Sequence, residues 1–193
     1  MDNSDLEVAK MLNEHKTRAY GSLEEGVYIK EKLYEFERVS LFENKFSIML
    51  PKDFVDMPED LKRIKYISEQ RPQIIKMIST GGVDLGFSLL PVKISDNQLM
   101  DNLIIMKNVL KKVNPAINVF EHKVIEKNDK TIVWMDFSNP GIDDTVYNIM
   151  SLMSVGIQTM HGVFNCRFQE KEQWKDVMIE ILCSIKFTDK GGK

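Results

Sequence analysis

The sequence predicts an α+β fold in which an antiparallel β-sheet is flanked by helices. In four pairs of segments, apolar and polar residues alternate with a period of two, and short polar turns join the segments of each pair, which predicts β-hairpins. Two other stretches carry apolar residues at spacings of three and four, which is typical of helices that cover an apolar sheet face. Because strands joined by short turns pair antiparallel, the order hairpin, hairpin, helix, hairpin, hairpin, helix favours one antiparallel sheet.

Each hairpin is marked by its own turn. The hairpins cover residues 33–51 with a turn at 43–45, residues 74–89 with the turn Thr80-Gly81-Gly82, residues 117–137 with a turn at 127–130, and residues 145–168 with a bend near Gly156. Glycine, asparagine and aspartate at these turns tolerate the backbone angles that tight connections require.

The two strong helix patterns lie after the second and fourth hairpins. The first begins at Ser95 or Asp96 and ends at Pro115, with the apolar face Leu99, Leu103, Met106, Leu110 and Val113. The second covers residues 170–185, with the stripe Trp174, Val177, Met178, Ile181, Leu182 and Ile185. A weaker helix pattern covers residues 4–14, and Pro58 opens a short helical turn.

Length and charge describe an ordinary folded domain. The chain has 193 residues and a formal net charge of −3, so no global basic field attracts nucleic acid or an anionic membrane. We expect an N-terminal appendage, helical or partly disordered, at residues 1–32, one α+β domain at 33–187 and a flexible tail at 188–193. Without a signal-peptide pattern or a long apolar run, the expected location is the cytoplasm.

Several short motifs together resemble the Mog/PsbP-like superfamily, in its bacterial DcrB-type branch. They are the run Phe46-Ser-Ile-Met-Leu-Pro51 followed by Phe54, the pair Arg71-Pro72, the helix at residues 99–113, the strand around Tyr147, and the closing helix at 174–185 that leads into Ser184-Ile185-Lys186-Phe187. The resemblance covers residues 33–187 and implies a sheet-and-helix sandwich. These motifs concern fold closure and contain no catalytic group.

Members of that superfamily are mostly non-catalytic binders: a Ran-binding nuclear-transport factor, a photosystem subunit, and DcrB-type adaptors that chaperone secreted effectors. The resemblance therefore implies a non-catalytic, chaperone-like adaptor for an apolar segment of a partner protein, such as a secreted effector. Fold-level analogy does not choose that partner.

Methionine is abundant, with 12 of 193 residues. Its flexible thioether side chain adapts to apolar ligands of varied shape, so methionines on the last strand pair favour a partner-binding groove. The predicted groove residues are Tyr147, Met150, Met153 and Met160. The alternative is that these side chains fill the core, because residues 145–154 are apolar on both alternating faces.

Catalysis has little support in the sequence. His15, His122 and His161 are far apart, and the chain contains neither a Gly-x-Ser-x-Gly elbow nor a phosphate-binding glycine loop. We therefore expect no catalytic residue and no cofactor. The alternative function is an enzyme or small-molecule binder with a pocket between sheet and helix, in which His161 or His122 is the polar group.

The remaining polar motifs have ordinary structural interpretations. Cys166 and Cys183 lie in apolar patterns, which predicts buried, unpaired thiols and no zinc site. The pair Asp143-Asp144 lacks the spacing of a calcium loop, so no metal is expected. One basic cluster, Lys62, Arg63, Lys65 and Arg71 with Tyr66 between them, could contact nucleic acid, but a solvated helix end or an acidic protein partner is favoured.

Overall fold

The computed structural model describes residues 21–66, 68, 71–141 and 144–187. Its strands are β1 (Val27–Ile29), β2 (Lys32–Tyr34), β3 (Phe36–Leu41), β4 (Phe46–Pro51), β5 (Phe54–Asp56), β6 (Ile74–Ile78), β7 (Asp84–Leu90), β8 (Asn118–Lys127), β9 (Lys130–Pro140), β10 (Thr145–Val155), β11 (Gln158–Arg167) and β12 (Lys186–Phe187). Its helices are α1 (Glu59–Lys65), α2 (Asp96–Val113) and α3 (Lys171–Cys183), the last preceded by a 3-10 turn at Phe168–Glu170. The predicted helix at residues 4–14, His15 and the predicted tail at 188–193 lie outside the described residues.

A seven-stranded antiparallel sheet organises the molecule. Its strand order is β5-β6-β7-β11-β10-β9-β8. Neighbouring strands are hairpin partners with two exceptions: β5 and β6 are connected through α1, and β7 and β11 pair across the intervening chain with Gly162 opposite Phe87. The turn between β8 and β9 holds Asn128 and Asp129 at φ of 52° and 56°, as a two-residue hairpin turn requires. This architecture confirms the predicted α+β class.

Both faces of the sheet are covered. The larger core lies between one face and the apolar stripe of α3, which includes Trp174 and Met178. The smaller core lies between the opposite face and α2, and it includes Leu99 and Leu103. Among the helices of the described residues, none is long and apolar enough to cross a membrane.

The first predicted hairpin forms, but it does not join the large sheet. Strands β3 and β4 pair with β12 in a separate three-stranded sheet. Phe46, Ile48 and Leu50 of β4 are buried in the larger core. Alternation along a strand shows that one face is buried but not which sheet the strand enters, so the expectation of one sheet is wrong for this hairpin.

The predicted domain start at residue 33 falls inside a hairpin. Strand β1 pairs with β2, with Tyr28 opposite Leu33. Leu23, Val27 and Ile29 are buried in the larger core. Residues 21–32 therefore pack as part of the domain and do not form an appendage, because their apolar side chains pack into the larger core.

Candidate functional site

The four residues predicted to line an exposed groove are buried. Tyr147, Met150, Met153 and Met160 have exposed fractions of 0%, 8%, 1% and 0%. They therefore present no solvent-facing surface, and the prediction of an open groove at these positions is wrong. The alternative, that they fill the core, is confirmed.

The position of β10 explains this burial. It lies inside the large sheet between β9 and β11. Tyr147 and Met153 point into the core beneath α3, whereas Met150 points into the core beneath α2. An apolar residue on either face of this strand is therefore covered by a helix.

A closed polar network lies beneath the first turns of α3, around the fully buried Asp136 of β9. The hydroxyl of Tyr147 and the ammonium of Lys175 each donate to its Oδ2 atom at 2.8 Å. The backbone N–H of Glu121, at a bulge in β8, donates to its Oδ1 atom at 2.9 Å. Lys175 also donates to the carboxylate of Glu121. Asp136 therefore has donors on both oxygens.

The pKa shifts of this network follow from its contacts. Burial raises the pKa of the Tyr147 hydroxyl, and its hydrogen bond to the Asp136 carboxylate raises it further. Burial opposes the charged form of Lys175, but the hydrogen bonds to Asp136 and Glu121 outweigh burial and leave its pKa raised. Because each polar group has a partner and the site is covered, the network acts as a structural clamp between α3 and the sheet.

Lys171 strengthens the same junction. Its ammonium lies 4.4 Å from the centre of the Phe120 ring and within about 6 Å of the rings of Tyr147 and Phe168. The start of α3 is thus held by cation–π contacts as well as by the Asp136 network.

A second polar network surrounds Asp84, at the start of β7 beneath α1. Asp84 is fully buried and accepts hydrogen bonds from the ammonium of Lys65 and the hydroxyl of Tyr66. The amide of Asn165 donates to Asp84 Oδ1 at 2.8 Å and to the Tyr66 hydroxyl oxygen at 2.7 Å. Burial and the Asp84 carboxylate raise the pKa of Tyr66. These contacts attach the end of α1 to the sheet.

The segment that follows α1 is also attached close to this network, at Gly86. A Cβ atom at Gly86 would lie 2.6 Å from Pro72 Cγ, so Pro72 packs directly on the strand backbone. A larger residue at position 86 would push this segment away from the sheet.

An apolar hollow of about 340 Å³ opens beside Asp84, and we call it the α1 hollow. Its lining is Met57, Leu61, Ile64, Lys65, Met77, Gly81, Gly82, Val83 and Asp84. Leu61 and Ile64 of α1 are 39% and 73% exposed at its edge. Val55 of the edge strand β5, which is 45% exposed, lies opposite Met77. Several apolar side chains therefore surround an open space at this edge of the sheet.

The predicted basic cluster is largely neutralised by the fold. Lys62 and Arg71 form ion pairs with Glu59, and Lys65 pairs with Asp84. The Tyr66 hydroxyl is held by the same buried network, so its ring does not project freely as a base-stacking platform. These contacts agree with the interpretation of the basic cluster as the charged end of a helix.

The two described histidines do not form a joint site. His122 is exposed on the edge strand β8, whereas His161 is half-buried on β11. Two strands, β9 and β10, separate them, which corresponds to about 14 Å at 4.8 Å per strand. Burial lowers the pKa of His161, and its Nε2 atom is buried without a hydrogen-bond partner in the described part of the chain.

The prediction of buried, unpaired thiols is confirmed in full for Cys166, whereas Cys183 is unpaired but only partly buried. Cys166 is buried, Cys183 is half-buried, and both are free thiols. Burial raises the pKa of each thiol.

Of the pair Asp143-Asp144, Asp144 accepts a hydrogen bond from the backbone N–H of Thr145, and Asp143 lies outside the described residues.

The α1 hollow was missed by the sequence analysis, although one signal for it exists. Leu61 and Ile64 are three residues apart in a helix whose other side chains are charged. In a seven-residue helix this spacing does not show whether the pair is buried or exposed. Met57 and Met77 come from segments 20 residues apart, so only the strand pairing brings them together.

Comparison with known proteins supports the fold. No family model and no curated protein matches the sequence. The solution structure of the cyanobacterial PsbP (CyanoP) of Synechocystis sp. PCC 6803 matches with a TM-score of 0.58 at 9% identity, covering 84% of this chain and 98% of that one. The crystal structure of LpqN of Mycobacterium tuberculosis, described as involved in cell envelope biogenesis, matches with a TM-score of 0.51 at 11% identity, covering 83% of this chain and 95% of that one. The chain therefore has a PsbP-like fold.

Proposed function

We propose that this protein is a non-catalytic binding module that holds an apolar segment of a partner protein in the α1 hollow. The observation that carries the proposal is the exposure of Leu61 and Ile64 beside an apolar hollow that the described residues leave open. Clustered apolar side chains in water are unfavourable unless another surface covers them, and such clusters often mark interaction sites.

The size of the hollow indicates what it accepts. Its volume of about 340 Å³ is at the lower end of the roughly 300–1,000 Å³ range of ligand pockets. One or two large apolar side chains of a partner would fill it. Met57 and Met77 in its lining can change rotamer to accommodate anchors of different shape.

The fold is compatible with a binding scaffold, but it does not identify the partner. CyanoP and LpqN share the architecture but carry different descriptions, so function has to be argued from the site. The motif resemblance to DcrB-type adaptors favours a chaperone-like role with a secreted effector as the partner. A cytoplasmic location fits this role and the two free thiols, which a reducing compartment maintains.

The test uses a random-peptide phage library as the probe. Peptides selected on the full chain should carry large apolar anchors and should lose binding to Ile64→Asp. The matched control is Ile157→Asp, since Ile157 is 83% exposed in the turn between β10 and β11, far from the hollow along the sheet. Both variants should keep the wild-type melting temperature, because neither side chain is buried.

Methyl NMR locates the bound peptide. Selected peptides should shift the methyl signals of Met57 and Met77, while Met135 and Met178 in the two cores stay unchanged. Peptides that bind Ile64→Asp as tightly as wild type, or that leave the Met57 and Met77 signals unmoved, would refute the proposal.

A further inference from the structure

A second apolar surface lies on α2, turned about 100–140° around the helix from its buried residues. It consists of Ile105 and Val109, which are 59% and 55% exposed. They are four residues apart and so lie on adjoining turns of one helix side. The buried residues of this helix are Leu99 and Leu103, which face the sheet. We call the exposed set the α2 stripe.

Charged residues of opposite sign stand at the two ends of the α2 stripe. Asp101 precedes it and Lys112 lies at its C-terminal end, and both are exposed. With about 100° of rotation per residue, Asp101 and Lys112 lie within about 40° of Ile105 around the helix. They are about 16 Å apart along the axis, too far to pair with each other. Within the described part of the chain, neither forms an ion pair.

This arrangement is self-complementary under a two-fold rotation. If a second copy of α2 lies antiparallel across the first, Ile105 of each copy meets Val109 of the other, and Asp101 of each lies near Lys112 of the other. The helix dipoles then also oppose each other. An unrelated partner would need its own matching charges, whereas a second copy supplies them by symmetry.

We propose that the α2 stripe is the contact surface of a symmetric homodimer, in which α2 packs antiparallel against α2 of a second copy. One helix pair forms a small interface, and such interfaces belong to the weak, transient class. The dimer should therefore form with rising concentration and weaken with added salt, because part of its specificity is electrostatic. This surface is separate from the α1 hollow, and the two proposals stand or fall independently.

Analytical ultracentrifugation of the full chain tests the dimer. The weight-average mass should rise with concentration from 22.4 kDa toward twice that value. Ile105→Asp should remain monomeric at all concentrations, with an unchanged melting temperature because the side chain is exposed. A wild-type chain that stays monomeric, or an Ile105→Asp variant that dimerises like wild type, would overturn the proposal.

Charge reversal tests the antiparallel arrangement itself. Asp101→Lys alone or Lys112→Asp alone should raise the dimer Kd about tenfold or more, because each change acts twice in a symmetric pair. An equimolar mixture of these two variants should form a heterodimer of near wild-type affinity, since both ends then pair oppositely. Lys111→Asp makes the same charge change about 100° around the helix and should leave the Kd unchanged. Failure of the mixture to associate would exclude the antiparallel pairing.

Discussion

Helices α3 and α1 each cover a fully buried aspartate, and the two sites use the same chemistry. Asp136 beneath α3 and Asp84 beneath α1 both accept a tyrosine hydroxyl and a lysine ammonium. The surroundings differ. Lys175, the partner of Asp136, is 17% exposed, whereas Lys65, the partner of Asp84, is 41% exposed.

Apolar packing accounts for this difference. Helix α3 has 13 residues, five of which are buried: Trp174, Val177, Met178, Ile181 and Leu182. Helix α1 has seven residues, and none of its own residues is buried. The same polar arrangement is therefore a closed clamp under α3 and the attachment of a weakly packed helix under α1. Of these two helices, as far as the described residues show, only α1 itself carries large exposed apolar side chains, Leu61 and Ile64.

The largest expected effect contrasts the apolar anchoring of the two helices. Trp174 is 2% exposed and packs against the rings of Tyr34 and Phe164. Trp174→Ala should lower the free energy of unfolding by about 3–5 kcal/mol, because it leaves a large cavity. Leu61→Ala on α1 should lower it by less than about 0.5 kcal/mol. Urea denaturation of both variants measures the contrast, and a comparable loss for Leu61→Ala would show that α1 is packed as tightly as α3.

The next contrast removes each aspartate. Asp136→Ala should cost about 3–5 kcal/mol, since it leaves the ammonium of Lys175 enclosed without a carboxylate partner. Asp84→Ala should cost about 1–3 kcal/mol, because Lys65 can turn into water while Tyr66 and Asn165 lose one acceptor.

Hydrogen exchange distinguishes the two aspartate variants further. Asp84→Ala should speed exchange in α1 and leave α3 protected, because the Asp84 contacts hold α1 alone. Equal unfolding costs for the two variants, together with unchanged exchange in α1, would contradict the proposed difference between clamp and attachment.

The smallest expected effect concerns pH. Burial lowers the pKa of His161 below its ordinary value of about 6.5, so the unfolded chain takes up a proton at a higher pH than the folded chain does. This residue therefore reduces stability as the pH falls below about 6.5, until the folded-state pKa is reached. His161→Phe should lose less stability than wild type between pH 7.5 and pH 5. Urea denaturation at both pH values measures this loss of stability. If His161→Phe loses as much stability as wild type, His161 is not the group responsible for the pH dependence.

The sequence determined most of the secondary structure. Strands β3, β4 and β6 to β11 and helices α2 and α3 lie where alternation and helical spacing predict them, because these periods reflect the geometry of each backbone type. The short strands β1, β2, β5 and β12 were not recognised as separate strands. Three residues or fewer carry too little periodicity to be distinguished from loops.

Only the tertiary structure decided which surfaces are open. Tyr147, Met150, Met153 and Met160 have the composition of an adaptable groove, yet helices cover both faces of their sheet. Leu61 and Ile64 carry no distinctive pattern in the sequence, yet they border an open hollow whose lining also includes Met77 of β6 and the turn residues Gly81, Gly82 and Val83 before β7. Burial depends on which distant segments pack together, and periodicity within one segment does not contain that information.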